Sequence, residues 1–211
     1  MKLYEIYTSV QGETQHAGRP CTLVRFAACD LRCAYCDTEY AFTGGQEVPR
    51  EAIVADVVSR GAKLVLLTGG EPLLQPELPA LARDLLARGF EVMIETGGHR
   101  DTSALPDEIC VILDVKTPGS REAAKNHWPN LARLKPRDAV KFVVTSEEDY
   151  RWSVGVIREH RLEERCEVLL SPSFGQVEPR DLVAWMLRDR LTARLNLQIH
   201  KIIWPPDQRG V

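Results

Sequence analysis

No apolar run in the sequence approaches the ~18 residues that a membrane-spanning helix needs. The opening residues, Met1-Lys2-Leu3-Tyr4-Glu5, lack the apolar stretch of a secretory leader. Both absences lead to the expectation of a cytoplasmic protein with no membrane partner, its thiols kept reduced. Aromatic residues are sparse at 7%, and neither charge dominates, with 27 Lys and Arg against 30 Asp and Glu. A net charge of -3 gives no electrostatic footprint for a nucleic-acid partner. No tract rich in Gly, Pro or Ser divides the chain, so residues 1–211 read as a single domain. What is present is ordinary globular material, 44% apolar and 27% charged, which excludes collagen, low-complexity disorder and a disulfide-stapled miniprotein. A chain of 211 residues buries a substantial core unaided.

Short β-rich runs alternate with helical periodicity. Strands are predicted over residues 22–27, 64–67, 91–95, 111–115, 140–145, 167–170 and 194–199. Several are nearly continuous Val, Ile and Leu, as in strands buried on both faces. Between them, Ile53, Val54, Val57 and Val58 share one helical face, and so do Leu78, Leu81, Leu85 and Leu86. Tyr150, Val154 and Ile157 follow the cap residue Ser146, and Leu182, Val183, Met186 and Leu187 follow Pro179. Residues 119–137 offer only a short helix among prolines.

An internal echo sets the topology. Arg60-Gly61 precedes a strand ending Thr68-Gly69-Gly70, and Arg88-Gly89 precedes one ending Thr96-Gly97-Gly98, 28 residues later. Repeated strand–helix units with right-handed crossovers build a parallel sheet. Seven strands are too few for a closed eight-fold barrel, so the expected class is α/β, an open or partial parallel β/α barrel. The polar and glycine-bearing segments all follow strands, at residues 29–38, 68–72, 95–98, 114–118, 171–174 and 200–201. That is the carboxyl face of such a fold, where active sites are built.

The sharpest chemical signal is Cys29-x3-Cys33-x2-Cys36. Cys21, Cys110 and Cys166 stand alone in apolar surroundings and read as inert packing residues. Closed zinc and iron–sulfur sites take four protein ligands. Three thiolates leave one iron of a 4Fe–4S cube open to a small molecule, which implies chemistry rather than electron storage. Free clustered thiols, a non-catalytic iron–sulfur protein, or zinc completed by a distant residue are the alternatives. Thr68-Gly69-Gly70-Glu71-Pro72, at the end of the next strand, is a second segment where absent side chains allow close backbone approach.

Together these two segments resemble the radical S-adenosylmethionine superfamily, as does the aromatic Tyr35 just before the last cysteine. Ser9-Val10-Gln11-Gly12-Glu13, Arg25, Cys36-Asp37-Thr38 and the ending Leu197-Gln198-Ile199-His200-Lys201…Trp204…Arg209-Gly210-Val211 resemble the 7-carboxy-7-deazaguanine synthase family. The resemblance implies a partial barrel of six strands and three helices, a homodimer, and a flavodoxin-like electron donor. It also implies conversion of a small pterin, 6-carboxy-5,6,7,8-tetrahydropterin, to 7-carboxy-7-deazaguanine with loss of ammonia, in queuosine or deazapurine synthesis. The cofactors implied are a 4Fe–4S cluster, S-adenosylmethionine and Mg²⁺.

Carried over to this chain, Cys29, Cys33 and Cys36 hold the cluster and Thr38 the Mg²⁺. Tyr35, Cys36, Asp37 and Gly70 lie against S-adenosylmethionine, with Asp114, Val115, Lys116, Ser171, Pro172, Ser173 and Phe174 around its remainder. Val10, Gln11, Gly12, Thr68 and Val211 border the pterin, and Arg25 takes its carboxylate. The family more often has Ser-Pro-Lys at residues 114–116 and Gln-Pro at 171–172. Plainer roles stand beside these: a salt-bridged Arg25, Thr38 as a helix cap, Glu95 and Thr96 as caps or ribose contacts, and a structural His200. His16, His99, His127 and His160 read as surface or packing residues. A small activase that draws hydrogen from a glycine of a partner protein is the competing enzyme class.

Overall fold

The computed structural model describes residues 1–211. The chain runs β1 (Lys2–Val10), β2 (Pro20–Phe26), β3 (Gln46–Glu47), α1 (Arg50–Arg60), β4 (Leu64–Gly69), α2 (Leu78–Ala87), β5 (Glu91–Thr96) and β6 (Cys110–Asp114). It continues with β7 (Ala139–Val144), α3 (Glu147–Glu159), β8 (Glu167–Pro172), α4 (Pro179–Asp189), β9 (Arg194–Leu195) and the short α5 (His200–Ile203). The nine strands form one open sheet in the order β3-β1-β2-β4-β5-β6-β7-β8-β9. From β2 to β9 every neighbouring pair is parallel, and β1 joins β2 and β3 antiparallel.

Local signals set these boundaries. The echo falls on consecutive units, α1–β4 and α2–β5. Gly61, which closes α1, adopts the left-handed conformation at φ 77°, and Gly89 follows at φ 78°. The Ser146 hydroxyl caps α3 by accepting the Asp149 N–H. Pro179 opens α4, where its missing N–H costs nothing.

Several expectations are corrected. β1 and β3 were not foreseen. β1 has the Tyr, Ile, Thr and Val of a strand, but it is antiparallel and half-buried and shows no continuous apolar run. The seven parallel strands match the number read from the sequence, one more than the six the resemblance implied, and four crossovers carry an α-helix where the resemblance implied three. Residues 119–137 hold only 3-10 turns, at Pro118–Ser120, Ala123–Lys125 and Trp128–Arg133. The buried Asn130 side chain takes over the bonding there. It accepts from the Thr102 N–H and hydroxyl and donates to the Gly98 and Arg100 carbonyls. The last predicted strand stops at Leu195, because Asn196 turns inward to accept from the Thr14 N–H at 2.6 Å.

The main core lies between the sheet and its helices, with Val24, Val65, Leu67, Ile94, Leu113, Phe142 and Leu170 from the strands. A second cluster, Cys21, Leu23, Leu64, Leu66, Met93, Cys110, Ile112, Ala139 and Leu169, fills the inner face. Side chains alternate along a strand, so the next inward position lies two residues further on. Those positions are Arg25, Thr68, Glu95, Asp114, Lys141 and Ser171. An apolar floor therefore supports a polar ring at the carboxyl ends of six strands.

Candidate active site

Above that ring opens a cleft of about 670 Å³. All six ring residues line it, together with Gln11, Gly12 and Glu13 from the loop after β1, the cysteine loop after β2, and residues 206–211.

The cysteine loop hangs between backbone anchors. Ala28 turns in the left-handed region at φ 76°, its N–H bonds the Ala41 carbonyl, and its carbonyl accepts from the Glu71 N–H at 2.8 Å. Further along, the Ala34 N–H reaches the Ser120 carbonyl, and the Arg32 N–H reaches Glu122 Oε1 at 2.6 Å. Cys29, Cys33 and Cys36 are free thiols that line the cleft. Burial raises all three thiols, Cys36 to about 11, and the positive charge of a bound metal would favour their thiolate form.

The Gly-Gly-Glu segment packs backbone to backbone against this loop. A Cβ on Gly70 would lie 2.0 Å from the Ala28 carbonyl oxygen, and one on Gly69, at φ 135°, would lie 2.2 Å from that of Phe26. The wholly buried Glu71 accepts from the Leu73 and Gly97 N–H groups, both at 2.9 Å, and from the Thr96 hydroxyl.

Charge is concentrated across the cleft. Lys141 Nζ lies 3.3 Å from Glu13 Oε2 and 3.7 Å from Asp114 Oδ2, and bonds Glu95 Oε1. Lys116 Nζ pairs with Asp114 Oδ2 at 2.8 Å. Gln198 Nε2 donates to both Glu13 Oε1 (2.8 Å) and Asp37 Oδ2 (3.0 Å), and Lys201 Nζ also reaches Asp37 Oδ2 at 3.0 Å.

Comparison with known proteins decides the family. Residues 23–118 match the Radical SAM superfamily. A 7-carboxy-7-deazaguanine synthase of Koribacter versatilis is 42% identical over the whole of both chains. One from Chlorobaculum tepidum is 42% identical across 100% of this chain and 97% of its own. The chain belongs to the 7-carboxy-7-deazaguanine synthase family. The crystal structure of QueE from Escherichia coli shares the fold, with a TM-score of 0.78, 21% identity and 93% of each chain covered. Streptococcus suis SuiB bound to its precursor peptide SuiA aligns less fully, at a TM-score of 0.59 and 15% identity, over 83% of this chain and 47% of that one.

The 7-carboxy-7-deazaguanine synthase family uses a 4Fe–4S cluster, S-adenosylmethionine and Mg²⁺, and the residues here fit those groups. Three free thiols project from one loop into one cleft. A 4Fe–4S cube takes one thiolate at each of three irons, which suits three cysteines spread along one loop. The Tyr35 hydroxyl, Asp114 Oδ1 and Gln11 Nε2 are buried on the cleft wall with no partner, and so are available to ligands.

Of the residues predicted from sequence, Gln11, Gly12, Arg25, Tyr35, Asp37, Thr38, Thr68, Gly70, Asp114, Lys116, Ser171, Pro172, Ser173, Phe174 and Val211 line the cleft with the cysteines. Two do not. The Val115 side chain belongs to the main core, 3% exposed, and its N–H is taken by the Lys141 carbonyl. Val10 ends β1 paired with Pro20, below the cleft. Gly70 is needed first for its contact with Ala28, before any contact with a ligand. Glu13 and Lys141 were missed. The signal for Lys141 was a charge inside the apolar run Ala139–Val144, two residues above the floor residue Ala139.

Proposed function

We propose that this chain converts 6-carboxy-5,6,7,8-tetrahydropterin to 7-carboxy-7-deazaguanine with release of ammonia, for queuosine or another deazapurine. One observation carries the reading: Arg25 and Thr38, suited to a carboxylate and its Mg²⁺, share a single cleft with the three thiols. When bound, the cluster and S-adenosylmethionine supply the one-electron chemistry that activates an unreactive C–H bond. The chain's own residues bind, orient and exclude water.

Cys29, Cys33 and Cys36 are the proposed cluster ligands. Tyr35, Cys36, Asp37, Gly70, Asp114, Lys116 and Ser171–Phe174 are assigned to S-adenosylmethionine. Arg25 spends Nε on Glu5 at 2.8 Å and one Nη2 proton on the Tyr7 hydroxyl at 3.3 Å. It is therefore salt-bridged, as its plainer reading held, and still has further N–H donors for a substrate carboxylate. The Thr38 hydroxyl donates to Asp37 Oδ1 at 2.9 Å, which leaves its oxygen lone pairs for Mg²⁺. Gln11, Gly12, Glu13, Thr68 and Val211 border the pterin, whose ring N–H groups suit the Glu13 and Glu95 carboxylates.

The chain is a single domain and acts in the cytoplasm as a homodimer, served by a flavodoxin-like donor. Family membership supports this, and exposed Leu187, Ile202 and Ile203 offer apolar contact surface. The full-length relatives do not favour the glycyl-radical activase. The test is anaerobic turnover of the reconstituted protein with the pterin, expected to give 7-carboxy-7-deazaguanine and ammonia. Formation of 5′-deoxyadenosine with no deazaguanine overturns the substrate and keeps the radical chemistry.

A further inference from the structure

We infer that Lys141 is a positioning residue: its ammonium fixes the placement and the ionised state of the Glu13 carboxylate at the pterin end of the cleft. The inference rests on the pterin reading for its consequence, and on the geometry alone for its substance.

The side chain rises from β7 through the inner face of the sheet and is 8% exposed. It reaches three carboxylates on three separate elements. Glu13 comes from the loop after β1, Glu95 from the end of β5, and Asp114 from the end of β6. Asp114 already has its own cation, Lys116, and acts on the Tyr35 hydroxyl and the Cys33 thiol. Asp37, the other carboxylate near Glu13, has Lys201. Glu13 and Glu95 therefore share Lys141 as their only cation within ion-pair distance.

Two carboxylates on one ammonium cannot be treated equally in a buried site. Glu13 receives the further help. Gln198 donates to its Oε1 at 2.8 Å, Asn196 donates to its Oε2 at 3.3 Å, and His200 faces it. Glu95 has no donor besides Lys141. The directions of titration agree. Burial raises both carboxyls, but Lys141 and Gln198 outweigh it at Glu13 and leave that group below its ordinary value. At Glu95 burial prevails over Lys141, with repulsion from Glu13 and Asp114 added. An ionised Glu13 can accept from the ring N–H groups of a pterin, whereas a protonated one loses much of that capacity.

The experiment replaces Lys141 by Met and by Arg in the reconstituted holoenzyme. The Glu13 midpoint is read by infrared titration of protein carrying isotope-labelled glutamate, with Glu13→Gln as the reference that assigns the band. Lys141→Met is expected to raise that midpoint by about one pH unit or more, a tenfold change in proton affinity. Lys141→Arg is expected to keep it. Pterin affinity, measured without reductant so that no turnover occurs, then falls in the Met variant as pH drops through the raised midpoint, approaches about a tenfold loss below the wild-type midpoint, and recovers as pH rises above both.

An unmoved midpoint in Lys141→Met, or an equal rise in Lys141→Arg, overturns the inference. If Lys141→Met does not fold, Lys141→Met/Glu95→Gln keeps the net charge of the cleft. Its Glu13 midpoint is expected to lie above that of Glu95→Gln alone, and equality overturns the inference. The infrared readout needs no pterin. If Lys141→Met shows the midpoint shift but the wild-type protein binds no pterin, the substrate reading alone is overturned.

Discussion

The buried Glu71 carboxylate accepts the Thr96 hydroxyl at 2.8 Å and so fastens the end of β4 to the end of β5. The same carboxylate takes the Gly97 and Leu73 N–H groups. One side chain thus shapes the loops on both sides of the Gly-Gly turn that supports the cysteine loop.

Replacing Glu71 by Ala strands three donors in a dry site. The expected cost is about 3 kcal/mol or more, read as a lower denaturant midpoint with an unchanged slope. Glu71→Gln keeps the volume but sets an amide NH₂ against donors, and should fall between Ala and wild type.

Gly70→Ala should harm the protein far more than Gly12→Ala. The new methyl at 70 meets the Ala28 backbone oxygen at 2.0 Å, which cannot yield without moving the cysteine loop. At 12 it meets His200 Nδ1 at 2.1 Å, the end of a side chain that can rotate away. A destabilisation of about 1–3 kcal/mol is expected for Gly70→Ala, with weaker binding of S-adenosylmethionine, and a smaller one for Gly12→Ala. Thermal unfolding and equilibrium binding measure the two.

Changing any of Cys29, Cys33 or Cys36 to Ala should remove most iron and acid-labile sulfide, while Cys21→Ala should not. Chelation of the cluster should then expose the three loop thiols to alkylation ahead of Cys21 and Cys110. Burial pushes those two up to about 12. At about pH 8 only roughly one molecule in ten thousand carries either as thiolate. Their labelling should rise with pH, and mass mapping of the alkylated peptides checks the order.

Lys201→Met should loosen the segment around α5, because Lys201 and Gln198 both hold Asp37. Faster proteolysis near residue 200 and a pterin affinity lower by about tenfold, some 1.4 kcal/mol, are expected. Asp37→Asn should act through the same contact, so the double variant should cost less than the sum. Additive losses would show that the two residues work separately.

The fold was legible where one pattern served one purpose. Six of the seven parallel strands were readable because their apolar runs are largely buried, whereas β9 at the sheet edge has only the two residues Arg194–Leu195, neither of them buried, and was drawn too long. β1 was not readable, since a half-buried antiparallel strand mixes Lys2, Glu5 and Ser9 with its apolar residues. The cysteines and Gly-Gly-Glu were readable from spacing. Glu13 and Lys141 were hidden, because they matter through partners 128 residues apart that only the folded sheet brings together. The Val115 side chain lies away from the cleft for a related reason: alternation sends Asp114 inward and its neighbour into the core.

The mouth of the cleft is stitched by bonds between residues made far apart in time. Asn196 and Gln198 reach Glu13 across 183 and 185 residues, and the Ile199 N–H closes on the Gly12 carbonyl. During translation Glu13 emerges early and waits, with its lysine, for partners not yet made. A ribosome-bound chain can lay down most of the sheet, yet it owns no finished binding chamber until those late residues clear the exit tunnel.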